Sequence, residues 1–254
     1  MHVLRSMAIA FSMYSKIPVP NFEWDKKDLR YMLCFFPLVG VVIGACLSVW
    51  MCFCSFIGIG AIFRTAVGCV IPVIITGGIH ADGFIDVCDA LSSHKSREEK
   101  LVILKDSHIG AFAVILFVVY AALFAGGMSE IKDMTVIFVA SLGFVLSRGL
   151  SALAAMCFKA AKSDGTLFTF TEAADRKKTF AIVLCESLGI TVCMILINPI
   201  YGAFASASAY LTYLYYFYRS RKEFGGVTGD TAGYFLCLCE CVMILALAVI
   251  SHFF

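Results

Sequence analysis

Long uncharged apolar runs alternate with shorter polar stretches along this chain. Each run holds roughly 18 to 25 residues, enough for a helix to cross about 30 Å of hydrocarbon. Read in this way, the sequence predicts seven transmembrane helices, over residues 31–55, 59–79, 109–127, 134–157, 179–197, 199–218 and 232–253. The joints near Gly58, from Gly126 to Asp133 and at Asn198-Pro199 are short and rich in turn residues, so neighbouring helices should run antiparallel. The opening stretch MHVLRSMAIAFSMYSKIPVP lacks the charges and cleavage site of a signal peptide. It predicts a short helix lying in the membrane interface and ended by Pro18 and Pro20. The expected fold class is all-α: a polytopic integral membrane helix bundle in which residues 1–254 form a single domain.

The remaining connections, residues 1–30, 80–108, 158–178 and 219–231, are long and charged. They hold all of the 20 Lys and Arg residues except Arg64, Lys132 and Arg148. With seven spans, all four fall on one side of the bilayer, and the positive-inside rule makes that side cytoplasmic. Adding or removing one span would scatter the basic loops over both sides.

Composition supports a membrane protein and excludes other classes. Apolar residues make up 61% of the chain and charged residues 15%, outside the range of a water-soluble domain. A formal net charge of +2 gives no reason to expect a nucleic-acid partner. The 12 cysteines lie mostly inside apolar runs, without paired CxxC motifs, and read as small buried hydrophobes rather than as a disulfide framework or zinc site.

Candidate chemistry starts in the second charged segment, GGIHADGFIDVCDALSS. Asp82, Asp86 and Asp89 stand at relative positions 0, 4 and 7, within roughly 60° of one another on a helix. Three carboxylates on one face repel each other, and a divalent cation relieves that repulsion; oxygen ligands favour Mg2+ or Mn2+ over zinc. The competing reading is a solvated acidic face with nothing bound. Against it stand two companions at the entrances to later spans on the same predicted face, KDSHIG (Lys105 to Gly110) and GGVTGD (Gly225 to Asp230). Glycine permits close backbone approach, and amides at a helix N-terminus suit phosphate. Acid cluster, glycine turns and Lys105 together describe a metal and pyrophosphate site. His80 beside the cluster is as well explained by structure as by a role as base, ligand or phosphate donor. Arg148 and Glu240 lie in apolar runs and should face a polar interior, paired or lining a cleft. Arg64 is expected to snorkel to the far interface, Glu186 has no motif around it, and the run YLTYLYYFY (Tyr210 to Tyr218) reads as an interfacial aromatic belt.

Taken in order, FSMYSKIPVP, TGGIHADGFIDVCDAL, LKDSHIGAF, LSRGLSALAAMCFKAAKSDG and GGVTGDTAGYFLCLCE resemble the cobalamin synthases, the adenosylcobinamide-GDP ribazoletransferases of the bacterial inner membrane. The resemblance covers nearly the whole chain, and its second and last motifs are the specific ones. Ala90 stands where the family usually has glycine, His108 replaces a usual arginine and Ala81 a larger apolar residue, while every acidic position is kept. The resemblance implies transfer of α-ribazole, or its 5′-phosphate, onto adenosylcobinamide-GDP, giving adenosylcobalamin or its 5′-phosphate and GMP, with Mg2+ as cofactor. It also implies Asp82, Asp86 and Asp89 as metal ligands, with Asp106 or Asp230 completing the shell and His80 or one of the aspartates as base. Substrate contacts are expected from Lys105, Ser107, Gly225, Gly226, Thr228, Arg148 and Glu240. The expected partners are these substrates and the lipid bilayer, with self-association or contacts to other cobalamin-assembly enzymes beside them.

Two other readings compete. A CDP-alcohol phosphotransferase also clusters aspartates at a membrane surface, but its Ala-Arg does not follow Asp89 here. An ion-coupled transporter would place such acids at midmembrane, often within internal repeats, whereas these stand at span ends and no repeat is visible.

Overall fold

The computed structural model describes residues 2–20, 23–161 and 165–254. Among the described residues eleven α-helices follow one another: α1 (His2–Tyr14), α2 (Phe36–Ile57), α3 (Ala61–Thr76), α4 (Ile79–Ser92), α5 (Arg97–Ile103), α6 (Ala111–Glu130), α7 (Met134–Cys157), α8 (Thr166–Ala173), α9 (Arg176–Ile197), α10 (Pro199–Phe224) and α11 (Gly229–Ile250). A 3-10 turn, Met32–Phe35, leads into α2. Among the described residues there is no strand, only an isolated parallel bridge between Ala160 and Val227. The protein is a polytopic helical bundle.

The seven expected spans are matched unevenly. The segment Met32–Ile57 and helices α6, α7, α9 and α11 are long and apolar enough to cross a bilayer; α3 and α4 together make a sixth candidate, bent by 94°. Alone, α3 has 16 residues, because Gly77 and Gly78 break it with φ of 67° and 80°, a region closed to most L side chains. The N-terminal segment docks on this bend, with the Lys16 amide donating to the Ile75 carbonyl at 2.7 Å. At 26 residues α10 is long enough, but the serines of its first half, the tyrosines of its second and the RSRKE near its end keep it out of the apolar set.

Helix α7 is the centre of the bundle, with 89% of its span buried. It is reached most closely by α2, whose Gly40, Gly44 and Ser48 recur every four residues. A Cβ on Gly40 would lie 2.3 Å from the Phe144 carbonyl oxygen, and one on Gly44 2.5 Å from that of Ser141; the Ser48 and Ser141 hydroxyls bond at 2.8 Å. Small residues on one stripe let two backbones touch, the usual source of helix affinity where lipid removes any hydrophobic drive.

The charged segments gather at one end of this bundle. Arg30 pairs with Asp175 at 2.7 Å, Arg97 Nε donates to the Lys222 carbonyl at 2.7 Å, Lys100 pairs with Glu223, and the Ala161 amide donates to the Val227 carbonyl at 3.0 Å. Glu130, Lys132, Asp133, Asn198 and His252 line one hollow at the other end. Lys162, one of the basic residues counted above, lies outside the described residues together with the end of its motif. Helix α1 ends at Tyr14, ahead of the two prolines. Ile9 and Ala10 are buried on its inner face and Val3 and Leu4 exposed on its outer face, while His2 and Arg5 pair with Asp28. The buried half of the tyrosine run includes Tyr216, whose hydroxyl bonds that of Thr231 at 3.2 Å, whereas Tyr215, Phe217 and Tyr218 are exposed.

Candidate active site

The site rests on the contact between α4 and α11. Gly83 and Gly233 face each other there: a Cβ on Gly83 would lie 2.8 Å from the Asp230 carbonyl oxygen, and one on Gly233 3.0 Å from that of His80. Bare backbone at both positions brings the acidic face of α4 onto the first turn of α11. The carboxylates of Asp82, Asp230 and Asp89 all act electrostatically on Asp86. Three aspartates from one helix and one from a helix some 140 residues later in the chain are therefore gathered at the charged end. Asp89 is pressed against Gly110, where a Cβ would meet its Oδ1 at 2.0 Å, at the start of α6.

Asp230 projects into a cavity of about 1070 Å³, lined also by Lys105, Lys159, Thr166, Thr171, Glu172, Arg176, Thr228 and Gly229. Three basic side chains among the described residues surround this hollow and suit a polyanionic ligand. Arg176 is fixed by donating from Nε to the Met156 carbonyl at 2.7 Å. Thr228 caps α11, accepting from the Thr231 amide at 3.1 Å, so the N-terminus of that helix opens on the cavity. A smaller hollow of about 200 Å³ adjoins it and shares Ala155, Thr166, Leu167, Gly229 and Asp230; it adds His80 and Asp82. His80 is 8% exposed, and among the described residues its Nε2 has no hydrogen-bond partner.

The other expected site residues are distributed differently. Asp106 is 53% exposed and accepts from the His108 amide at 3.0 Å, with the His108 ring Nδ1 at 2.7 Å. The bonds from His108 hold its carboxyl below the usual range. It is not among the carboxylates acting on Asp86, and Ser107 beside it is exposed and outside both cavities. Gly225 and Gly226 do not line the cavity; they build the turn behind its rim. Gly225 ends α10 at φ 76°, and a Cβ on Gly226 would lie 2.2 Å from the Lys159 carbonyl oxygen. Arg148 and Glu240 are paired, Nη1 donating to Oε1 at 2.7 Å, and Ser147 Oγ adds a bond to the same oxygen at 2.9 Å. With His80 they line a third hollow of about 210 Å³, not the large cavity. Sequence reasoning counted Lys159 and Arg176 only as loop charges and missed Thr166 and Phe170 altogether. The available signal was that both basic residues flank a loop on the same face as the acids.

Among the described residues, no three His, Cys, Asp or Glu side chains form a ready-made metal cage. The donor set near Asp86 is nonetheless all carboxylate, which suits a hard cation that keeps several waters and takes one or two carboxylates with substrate phosphates.

Fold and site together define a membrane-embedded protein whose polar end carries a carboxylate rim and a basic cavity large enough for a nucleotide-bearing substrate. The cobalamin-5-phosphate synthase family profile matches residues 6–248, and the chain belongs to that family. It is 42% identical to the adenosylcobinamide-GDP ribazoletransferase of Lachnoclostridium phytofermentans, over 97% of this chain and 94% of the relative. The proteins of the same name from Clostridium botulinum and Clostridium perfringens are 30% and 31% identical, over 95% and 97% of this chain and 96% and 98% of theirs. No solved structure matches. Family membership sets aside the CDP-alcohol phosphotransferase and transporter readings.

Proposed function

We propose that this chain completes cobalamin by transferring α-ribazole, or its 5′-phosphate, onto adenosylcobinamide-GDP, releasing GMP. The observation that carries the reading is the meeting of the α4 carboxylates with Asp230 beside a large basic cavity, in a chain of this family. The ribose 3′-hydroxyl oxygen attacks the phosphorus joined to the corrinoid side chain. The bond from that phosphorus to the GMP oxygen breaks, GMP departs, and a carboxylate of the rim takes the hydroxyl proton. Lys105, Lys159 and Arg176 hold the diphosphate oxygens and offset their charge. Asp82, Asp86 and Asp230 are the residues that would hold Mg2+, with Asp89 behind them; Asp106 is left out because its partner is His108. Bound there, Mg2+ supplies positive charge for the phosphoryl oxygens.

The charged end faces the cytoplasm on the Lys and Arg bias, and the bacterial inner membrane is the location that the family resemblance implies. The test is incubation of purified protein with Mg2+, adenosylcobinamide-GDP and α-ribazole, followed by chromatography for GMP and the joined corrinoid. Equimolar appearance of both supports the proposal, and absence of either overturns it.

A further inference from the structure

The 200 Å³ hollow differs in chemistry from the basic cavity beside it. Tyr14 of α1, Phe36 of α2 and Phe170 of α8 give it aromatic walls. The Tyr14 and Phe36 rings lie 4.2 Å apart, and the His80 ring stacks 6.4 Å from Tyr14 and stands edge-on to Phe36 at 5.9 Å. Met13, Leu33 and Leu236 complete an apolar lining. Pockets for drug-sized ligands run to roughly 300–1,000 Å³; this one takes a flat ring system and not a whole nucleotide. Within it lies one buried polar anomaly, the unpartnered Nε2 of His80. An unsatisfied buried group of this kind is costly to keep, so a ligand atom that completes it gains affinity and orientation. Asp82 and Asp230 stand on the lining as well, and Asp230 faces the basic cavity too.

Resting on the reaction proposed above, we infer that this hollow seats the aromatic base of the incoming nucleoside. His80 Nε2 hydrogen-bonds the base's unsubstituted ring nitrogen, and the ribose is directed toward Asp82 and Asp230. The donor's diphosphate occupies the basic cavity, so the two substrates meet at Asp230, the one carboxylate of the rim that lines both hollows among the described residues. The N-terminal helix, which carries no part of the acidic rim, thereby sets which base is accepted.

The test is steady-state kinetics of Met13→Trp, His80→Ala and His80→Gln, with α-ribazole and with an analogue whose benzimidazole lacks methyl groups. Met13→Trp is expected to raise KM for α-ribazole on the order of tenfold, the scale of a small misfit in an apolar pocket. The unmethylated analogue should suffer less, and KM for adenosylcobinamide-GDP should stay as in the wild type. His80→Ala should raise KM for both nucleosides, and His80→Gln, which keeps a donor, should recover part of the loss. An unchanged nucleoside KM, or a change confined to the corrinoid donor, overturns the assignment. If Met13→Trp does not fold, Met13→Ala replaces it and should instead admit a bulkier base, an unaltered base preference overturning the assignment. A wild-type protein that releases no GMP overturns the reaction reading alone. Equilibrium dialysis of α-ribazole without donor still reads the pocket in that case, and binding unaffected by Met13→Trp refutes it.

Discussion

Replacing Gly83 with alanine tests the contact on which the site depends. The added methyl would lie 2.8 Å from the carbonyl oxygen of Asp230, 2.9 Å from its Cα and 3.2 Å from its carbonyl carbon. All three are backbone atoms of the first turn of α11, so no side chain can rotate away. Ordinary contact begins at 3.4 Å, so restoring it moves α4 and α11 apart by about 0.6 Å. Overpacking of this kind costs typically 1–3 kcal/mol of stability. The catalytic cost is larger in proportion, because a misplacement of about 1 Å can lower turnover roughly 10²-fold. Gly83→Ala is therefore expected to lose on the order of tenfold or more in GMP release while still eluting as a folded species from gel filtration. Gly126→Ala is the control, since a Cβ there meets nothing within 4 Å, and it should behave as the wild type. Wild-type turnover in Gly83→Ala, with an unaltered melting midpoint in detergent, would refute the claim that this close approach sets the rim.

Three further outcomes are expected. Asp82→Asn should lower GMP release by roughly 10²–10⁴-fold without changing membrane insertion, and chelation should silence the wild type until Mg2+ is restored; full turnover in either case removes the metal assignment. Glu240→Ala leaves Arg148 charged and buried, a loss of about 3–5 kcal/mol visible as a lower melting midpoint, and adding Arg148→Met in the same chain should recover most of it; equal midpoints for the single and double variants would deny the pair. Alkaline phosphatase fused after Phe254 should be active and fused after His108 inactive, while the reverse pattern would invert the topology.

The helices were legible because hydrocarbon imposes a length and composition that few other constraints imitate, and the charged connections were legible as a set because all of them had to reach the same water. Local signals stop there. The double glycine at 77 and 78 announces a turn, but neither its 94° angle nor the docking of the Lys16 segment against it is written in the local sequence. Helix α10 runs to Phe224, six residues past its expected end, because polar RSRKE continues the helix in water once the span is over. Asp106 and Asp230 look alike in sequence, each following a turn on the same face; His108 two residues on captures the first, and Gly83 on another helix admits the second. Arg148 and Glu240 were expected either to pair or to line a cleft, and sequence left that choice open; they are each other's partners across 92 residues. The basic wall from Lys159 to Arg176 and the aromatic slot near Tyr14 had no periodic signature, since their residues come from connections and helix ends brought together only by packing.

The Arg148 pairing also has a consequence in time. At about 5–20 residues per second, the 92 residues that separate the pair take several seconds to synthesise, so α7 waits in the membrane with its guanidinium bonded only to Phe144 and Ser147 of its own helix until α11 arrives. A chain halted before that point would hold an intramembrane cation without its counter-charge, a cost that the arrival of α11 removes.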